Sequence, residues 1–344
     1  MLRAQYETRG PVPQDVIHAV EFEVPRLEAG QALLEVIAAP INPSDLLTLT
    51  GLYGRLPPLP AVGGGEGVGR VVELGPDTRE PAVGQVVLLP VGCGSWSTHV
   101  VAEAAHLAPM PAAADPLQLA MMTINPPTAS LLLSEFVKPG PDEWVIQNAA
   151  NSAVGLYLVQ LARHRGYRTV NVVRREDAAA VVAQAGGDVV LVDGEDLAKR
   201  VAEATGKAKI RLAIDAVGGK ATGRLAECLA NGATLVNYGR MSGEPCTIEA
   251  SAFVFHDLTV RGFWLASWFQ KTPEQKRGAV FGEIARLIAE GKLHAPIQAT
   301  YDVSEIKQAV AAAARGEREG KILIVPKGQP WPTPPGLNRA NCPA

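Results

Sequence analysis

From Gln5 to about Pro109, short apolar runs rich in β-branched residues recur between Gly- and Pro-bearing breaks: ALLEVIAAP (Ala32–Pro40), VGRVVELG (Val68–Gly75), GQVVLLP (Gly84–Pro90) and STHVVAE (Ser97–Glu103). Such spacing predicts a compact antiparallel domain of barrel-like form. A helical stretch is expected near Asp115 to Phe136. Beyond it the period changes, and near-continuous apolar segments take turns with helix-length amphipathic ones. The strand candidates are EWVIQNA (Glu143–Ala149), RTVNVVR (Arg168–Arg174), DVVLVD (Asp188–Asp193), RLAIDAV (Arg211–Val217), ATLVNYG (Ala233–Gly239) and LTVRGFW (Leu258–Trp264). Strands apolar on both faces and separated by helices predict a doubly wound parallel sheet covered above and below.

A chain of 344 residues is long for one domain. We place a first domain at residues 1–118 and 267–344, with the helix AVFGEIARLIAEGKL (Ala279–Leu293) and the last strand KILIV (Lys321–Val325) returning to it, and a second at residues 119–266. The tail from Lys327, KGQPWPTPPGLNRANCPA, is too rich in Pro and polar residues for a core face and is expected to be extended or mobile.

The balance of 32 basic against 35 acidic residues provides no long-range attraction to nucleic acid or to an anionic membrane, so the expected partner is a small molecule. The four cysteines, Cys93, Cys228, Cys246 and Cys342, show no CxxC spacing, and the six histidines are scattered, with none at metal-ligand spacing. No apolar run reaches membrane-spanning length, and MLRAQYETRGPVPQ lacks the apolar core of a signal peptide; these features lead to the expectation of a cytoplasmic protein.

After WVIQNA comes the turn Ala150-Asn151-Ser152-Ala153-Val154-Gly155, followed by the helix LYLVQLARHRG. Strand, turn and helix stand in the order that presents unpaired N–H groups and a helix dipole to a dinucleotide pyrophosphate. The glycine pattern has thinned to Ala150, Ser152 and Gly155, and a glycine serving only close helix packing is the alternative reading. At the end of the second strand, where an acid would hold ribose hydroxyls, stand Arg174 and Arg175. Two guanidiniums suit an additional phosphate, so NADPH is expected, with plain surface solvation as the competing explanation.

The segments INPSDLLTLTGLYG, LPAVGGGEGVG, TINPPTA, VIQNAANSAVG, NVVR, DAVGGKAT, LVNYGRM and VRGFWLASW together resemble the mitochondrial-type trans-2-enoyl thioester reductases, a zinc-free branch of the medium-chain dehydrogenase/reductase superfamily. The similarity runs from about Ile41 to Val325. It implies an α/β architecture with a GroES-like antiparallel β-barrel catalytic domain and a Rossmann domain. The zinc branch typically carries cysteine where Asn42 stands and histidine where Gly65 stands, so the resemblance implies chemistry without metal. It also implies a catalytic Tyr53 and cofactor contacts at Asn125, Asn151, Ser152, Ala153, Val154, Gly155, Arg174, Arg175, Tyr238, Met241, Phe263, Trp264, Leu265 and Lys321. Arg240 and Glu176 depart from the family pattern and leave the phosphate cradle open. By the same analogy the chain forms a homodimer across the ATLVNYG and LTVRGFW edge.

The implied reaction is NADPH-dependent reduction of enoyl-CoA or enoyl-acyl-carrier substrates. A phenol has a reference pKa of about 10, so Tyr53 would keep its proton at neutral pH and assist protonation at the substrate α-carbon. Packing at a loop is its alternative. Asn125 could orient nicotinamide or tyrosine, or only cap a turn, and Trp264 and Trp268 could wall an acyl pocket or fill an ordinary core. An NADPH-dependent quinone or enone reductase is the rival function, followed by a non-catalytic dinucleotide-binding protein.

Overall fold

The computed structural model describes residues 1–316 and 318–327, and the expectation for the Pro-rich tail falls on residues outside that range. Strands β1 (Leu2–Tyr6), β2 (His18–Glu21), β3 (Gln31–Pro40), β4 (Ala61–Val62), β5 (Val68–Leu74), β6 (Val86–Leu88) and β7 (His99–Glu103) come first. They are followed by β8 (Trp144–Gln147), β9 (Arg168–Val173), β10 (Val189–Val192), β11 (Leu212–Asp215), β12 (Thr234–Asn237) and β13 (Thr259–Gly262). Strands β14 (Ile297–Tyr301) and β15 (Lys321–Ile324) come last. The chain divides into two compact units, one from Met1 to Met121 together with residues from Ile297 onward, the other from Met122 to Pro296.

In the first unit β3 is the organiser. It pairs antiparallel with β5, β7 and β15, while β6 extends the sheet beyond β5 and β14 joins β15 in parallel. Register shifts between Leu33 and Leu34 and between Val36 and Ala38 interrupt the β3–β5 ladder, and such bulges bend a strand and let an antiparallel sheet curl. A smaller sheet, β2-β1-β4, lies beside it. Leu34, Val36, Val71, Val87, Leu89, Trp96, Ile306, Val310 and Ile324 share one core. The indole N–H of buried Trp96 donates to the carbonyl of Pro40 (3.1 Å), satisfying the one polar atom that burial would otherwise strand.

The second unit carries a six-stranded sheet in the order β10-β9-β8-β11-β12-β13, parallel at every pairing. All six expected strands are present. The strand order reverses at β8, the point where open α/β sheets bind ligands beyond the carboxyl ends of their strands. Helix Ala153–His164 buries Leu156, Tyr157, Leu158, Val159, Leu161 and Ala162, which explains the 3.6-residue period read from LYLVQLARHRG.

Two expectations are corrected. The segment 267–296 belongs to the second unit, not the first. Helix Glu274–Ala289 buries Ile284, Leu287 and Ile288, its Lys276 pairs with Glu135 (2.8 Å) and its Glu283 with Arg165 (3.1 Å), and Gln160 exchanges two hydrogen bonds with the backbone of His294. All of these partners lie in the dinucleotide-type unit. The helical stretch from Asp115 to Phe136 is two helices, Pro116–Leu119 and Asn125–Leu132, because Pro126 and Pro127 are tolerated only where a helix begins.

Gly64 has φ +101°, and a Cβ there would stand 2.5 Å from Ser95 Oγ and 2.6 Å from the Trp96 nitrogen. Backbone and packing both require glycine. We expect Gly64→Ala to destabilise the protein by about 2 kcal/mol or more, read as a lowered denaturation midpoint; an unchanged midpoint would show that this turn relaxes freely.

Candidate active site

In the second unit the C-terminal ends of the parallel strands gather most of the expected coenzyme residues. The β8 strand runs into Asn148 and Ala149, and Ala149 takes a left-handed φ of +48° that turns the chain sharply toward the helix. Ser152 caps helix Ala153–His164 by accepting from the Gly155 N–H (3.1 Å). A Cβ on Gly155 would lie 2.5 Å from the carbonyl oxygen of Ala150, so glycine is needed for the helix to start this close to the strand. The turn is thus a helix N-terminus held open by one capping hydroxyl, a shape suited to a pyrophosphate.

Arg174 and Arg175 follow β9 directly, with Arg174 exposed and Arg175 pairing through Nε with Asp177 Oδ1 (3.1 Å). Tyr238 follows β12 and hydrogen-bonds Ser152; burial pushes its phenol above the ordinary range. Met241 is exposed on the next turn. Phe263 follows β13 and meets Phe136 edge to face, Trp264 is exposed, and Leu265 opens helix Leu265–Lys271. Asn125, buried, begins helix Asn125–Leu132.

A residue that the sequence reading did not single out holds this edge together. Asp215, fully buried at the end of β11, accepts hydrogen bonds from Asn148 Nδ2 (2.6 Å), Val217 N (2.9 Å), Gly218 N (3.1 Å), Thr222 Oγ1 (2.8 Å) and Asn237 Nδ2 (2.9 Å). Asn148 returns the contact by accepting from Ala216 N (2.8 Å). One carboxylate therefore fixes the ends of β8, β11 and β12, and with so many donors its charge is compensated in a dry place. An acid closing the apolar run RLAID before a Gly-Gly pair was the available signal.

In the first unit Tyr53 follows helix Pro43–Thr50, which ends at Gly51 with φ +79°. The N–H groups of Leu52 and Tyr53 both donate to Leu47 O (2.8 and 3.1 Å), so the tyrosine is tied to the last helical turn, half-buried. At the other end of the same helix Asn42 is buried, and its backbone N–H donates to Asp45 Oδ2 (2.7 Å). Its side chain donates from Nδ2 to Glu66 Oε1 (2.7 Å) and accepts at Oδ1 from Lys321 Nζ (2.5 Å), which also donates to Ile41 O (3.1 Å).

This cluster tests whether a zinc ion suits the place. Gly65 offers no side-chain donor, the amide oxygen of Asn42 is taken by an ammonium, and that buried ammonium would repel a divalent cation. The donor set does not fit zinc. Among the described residues no group of three His, Cys, Asp or Glu side chains converges as metal ligands. Burial raises the Asp45 carboxyl to about 6, against backbone donors and Lys321 that lower it. Burial lowers Lys321, while Glu66 and Asp45 hold it up. Lys321, expected at the coenzyme, thus has its ammonium among first-unit groups, and Asp45 and Glu66 are charged members that sequence reasoning did not assign.

The family model described as alcohol dehydrogenase GroES-like domain matches residues 28–112, and that of zinc-binding dehydrogenase matches residues 153–280. A relative from Rattus norvegicus, a mitochondrial enoyl-[acyl-carrier-protein] reductase, is 35% identical over 88% of this chain and 83% of its own. Among solved structures, Etr1p, the mitochondrial 2-enoyl thioester reductase of Candida tropicalis, in complex with NADP and crotonyl-CoA superposes with a TM-score of 0.86 at 25% identity, covering 94% of this chain and 99% of that one. A quinone oxidoreductase of Escherichia coli in complex with NADPH gives 0.82 at 26% identity, covering 95% and 100%.

These relatives overturn the cytoplasmic expectation, since the reductase from rat is named mitochondrial. The lack of an apolar signal core speaks to secretion and carries no information on import into an organelle. With both halves matched and the likeness to enoyl reductases running over most of its length, the chain belongs to the medium-chain dehydrogenase/reductase superfamily and is an oxidoreductase of its enoyl thioester reductase type.

Proposed function

We propose that the protein reduces the α,β double bond of trans-2-enoyl thioesters with NADPH and without zinc. The observation that carries this reading is the Lys321 ammonium bonded to Asn42 at the place where the zinc branch holds its metal, which leaves the phenol of Tyr53 to supply the proton. The relative named enoyl-[acyl-carrier-protein] reductase and the complex with NADP and crotonyl-CoA support the same choice of substrate and coenzyme. The likeness to a quinone oxidoreductase keeps quinone reduction as the second reading.

The residues that would hold the coenzyme are those at the strand ends. The N–H groups opening helix Ala153–His164 would hold the pyrophosphate, with Asn151, Ser152, Ala153, Val154 and Gly155 shaping the turn. Arg174 and Arg175 would hold the additional phosphate, whose several oxygens suit guanidinium forks. Tyr238, Met241, Phe263, Trp264 and Leu265 lie at the strand ends beyond, and Asn125 would orient the nicotinamide. When bound, NADPH would supply a hydride to the substrate β-carbon. The thioester carbonyl takes up the negative charge that arrives with it, and the Tyr53 hydroxyl then gives its proton to the α-carbon, so two electrons and two hydrogens saturate the bond. Tyr53 recovers its proton from solvent. The half-buried loop position suits this role, because the residue is fixed by its backbone yet keeps access to water.

The same protein is proposed to be a homodimer joined at β13. Every residue of that edge strand is exposed, and Phe253, Val254 and Phe255 on the preceding helix are 44%, 71% and 74% exposed. An open strand edge beside an apolar patch is a liability that a two-fold partner removes by extending the sheet.

Oxidation of NADPH with trans-2-enoyl-CoA esters, run beside a naphthoquinone, tests the reaction. Faster turnover of the enoyl ester is expected, and Tyr53→Phe should lower its kcat about 100-fold or more while leaving NADPH affinity near normal. Preferred quinone turnover would move the assignment to the second reading, and an undiminished Tyr53→Phe would remove the phenol from the reaction. For the assembly, light scattering should give twice the chain mass, falling to one chain when Val254 and Phe255 are both changed to Glu; a monomeric wild type contradicts the dimer.

A further inference from the structure

The loop that carries Tyr53, Gly51 to Pro60, runs from the end of helix Pro43–Thr50 to β4 without a strand or helix of its own. Its second half, LPPLP (Leu56–Pro60), contains three prolines, which have no N–H with which to anchor the backbone. The Leu52 and Tyr53 N–H groups tie the start of the loop to the helix, so its second half is the part short of backbone donors.

Arg9, just beyond β1, reaches this loop on both sides of Tyr53. Its Nη2 donates to the carbonyl of Pro57, four residues after the tyrosine. Its side chain lies against Gly51, two residues before it; a Cβ at Gly51 would stand 3.4 Å from Arg9 Cδ. The next residue, Gly10, donates its N–H to Leu49 O (3.2 Å) in the helix that leads into the loop. The guanidinium is itself held, by a hydrogen bond to the hydroxyl of Tyr6, a side chain that is 1% exposed in the first-unit core. Its Nε is buried with no hydrogen-bond partner, a cost accepted where the other nitrogens are engaged. Core, guanidinium and loop thus form one chain of contacts: Tyr6 to Arg9, Arg9 to Pro57 and Gly51.

We propose that Arg9 is a positioning residue that holds the Tyr53 loop in the conformation needed for proton transfer, which rests on Tyr53 being the proton donor. Arg9 does not touch the reacting atoms. It sets where the phenol stands, and small misplacements of a donor cost large factors in rate.

The test is a double-substitution cycle on the full chain with enoyl-CoA and NADPH. Arg9→Met should lower kcat about 10-fold or more while leaving NADPH affinity, measured by fluorescence titration, unchanged, and Arg9→Lys, which retains one donor for Pro57, should restore part of the loss. In a Tyr53→Phe background Arg9→Met should produce no further loss, because there is no proton left to position. Amide exchange of Tyr53 to Leu56 should quicken in Arg9→Met without change in β3. An equal loss of kcat in both backgrounds, or no loss in either, overturns the proposal. Should Arg9→Met not fold, the same cycle with Arg9→Lys decides it. Full turnover in Tyr53→Phe alone would instead refute the proton-donor reading.

Discussion

A buried ammonium governs the first unit. Lys321, brought in by the last strand, donates to Asn42 and Ile41 at the end of β3, and through Asn42 it is joined to Glu66. An ionised group away from water persists only where its charge and its donors are met, so three pieces of chain distant in sequence must meet in one arrangement. A cation of the protein's own stands among the groups that would otherwise receive a metal, and the carboxylates nearby are compensated by it. Removing one partner from such a set generally costs about 3–5 kcal/mol, because the others are left charged and dry.

The second unit relies on the same principle with the sign reversed. Asp215 is an anion surrounded by donors from three strand ends and a helix, and the turn that would receive pyrophosphate begins one residue after β8, at its partner Asn148. The position of Ser152 and Gly155 is therefore inherited from a carboxylate that need not touch a ligand. Tyr238, bonded to Ser152, adds a second tie from β12. Arg174 and Arg175 follow β9 at the same edge, the latter engaged by Asp177.

Much of this architecture was legible in the chain. The six parallel strands announced themselves because burial on both faces demands unbroken apolar runs, and Gly65 announced the lack of a soft ligand because a glycine has no side chain to offer. What was missed depends on contacts across long separations. Nothing local in AVFGEIARLIAEGKL says that its apolar face meets the helix at Asn125 rather than the barrel; that is decided by Glu135, Arg165 and Gln160. Asp215 and Arg9 read as ordinary polar residues until their partners, far along the chain, are brought to them. The split of the stretch from Asp115 to Phe136 was readable in Pro126 and Pro127, which can stand only in the first turn of a helix.

In the proposed reaction, hydride reduction proceeds with the Lys321 cluster in place of a metal and a phenol as acid. Elemental analysis of the purified protein, with turnover measured before and after exhaustive chelation, tests it most directly. The account predicts no stoichiometric zinc and unchanged turnover. One tightly held zinc per chain, whose removal abolishes activity and whose return restores it, would contradict it.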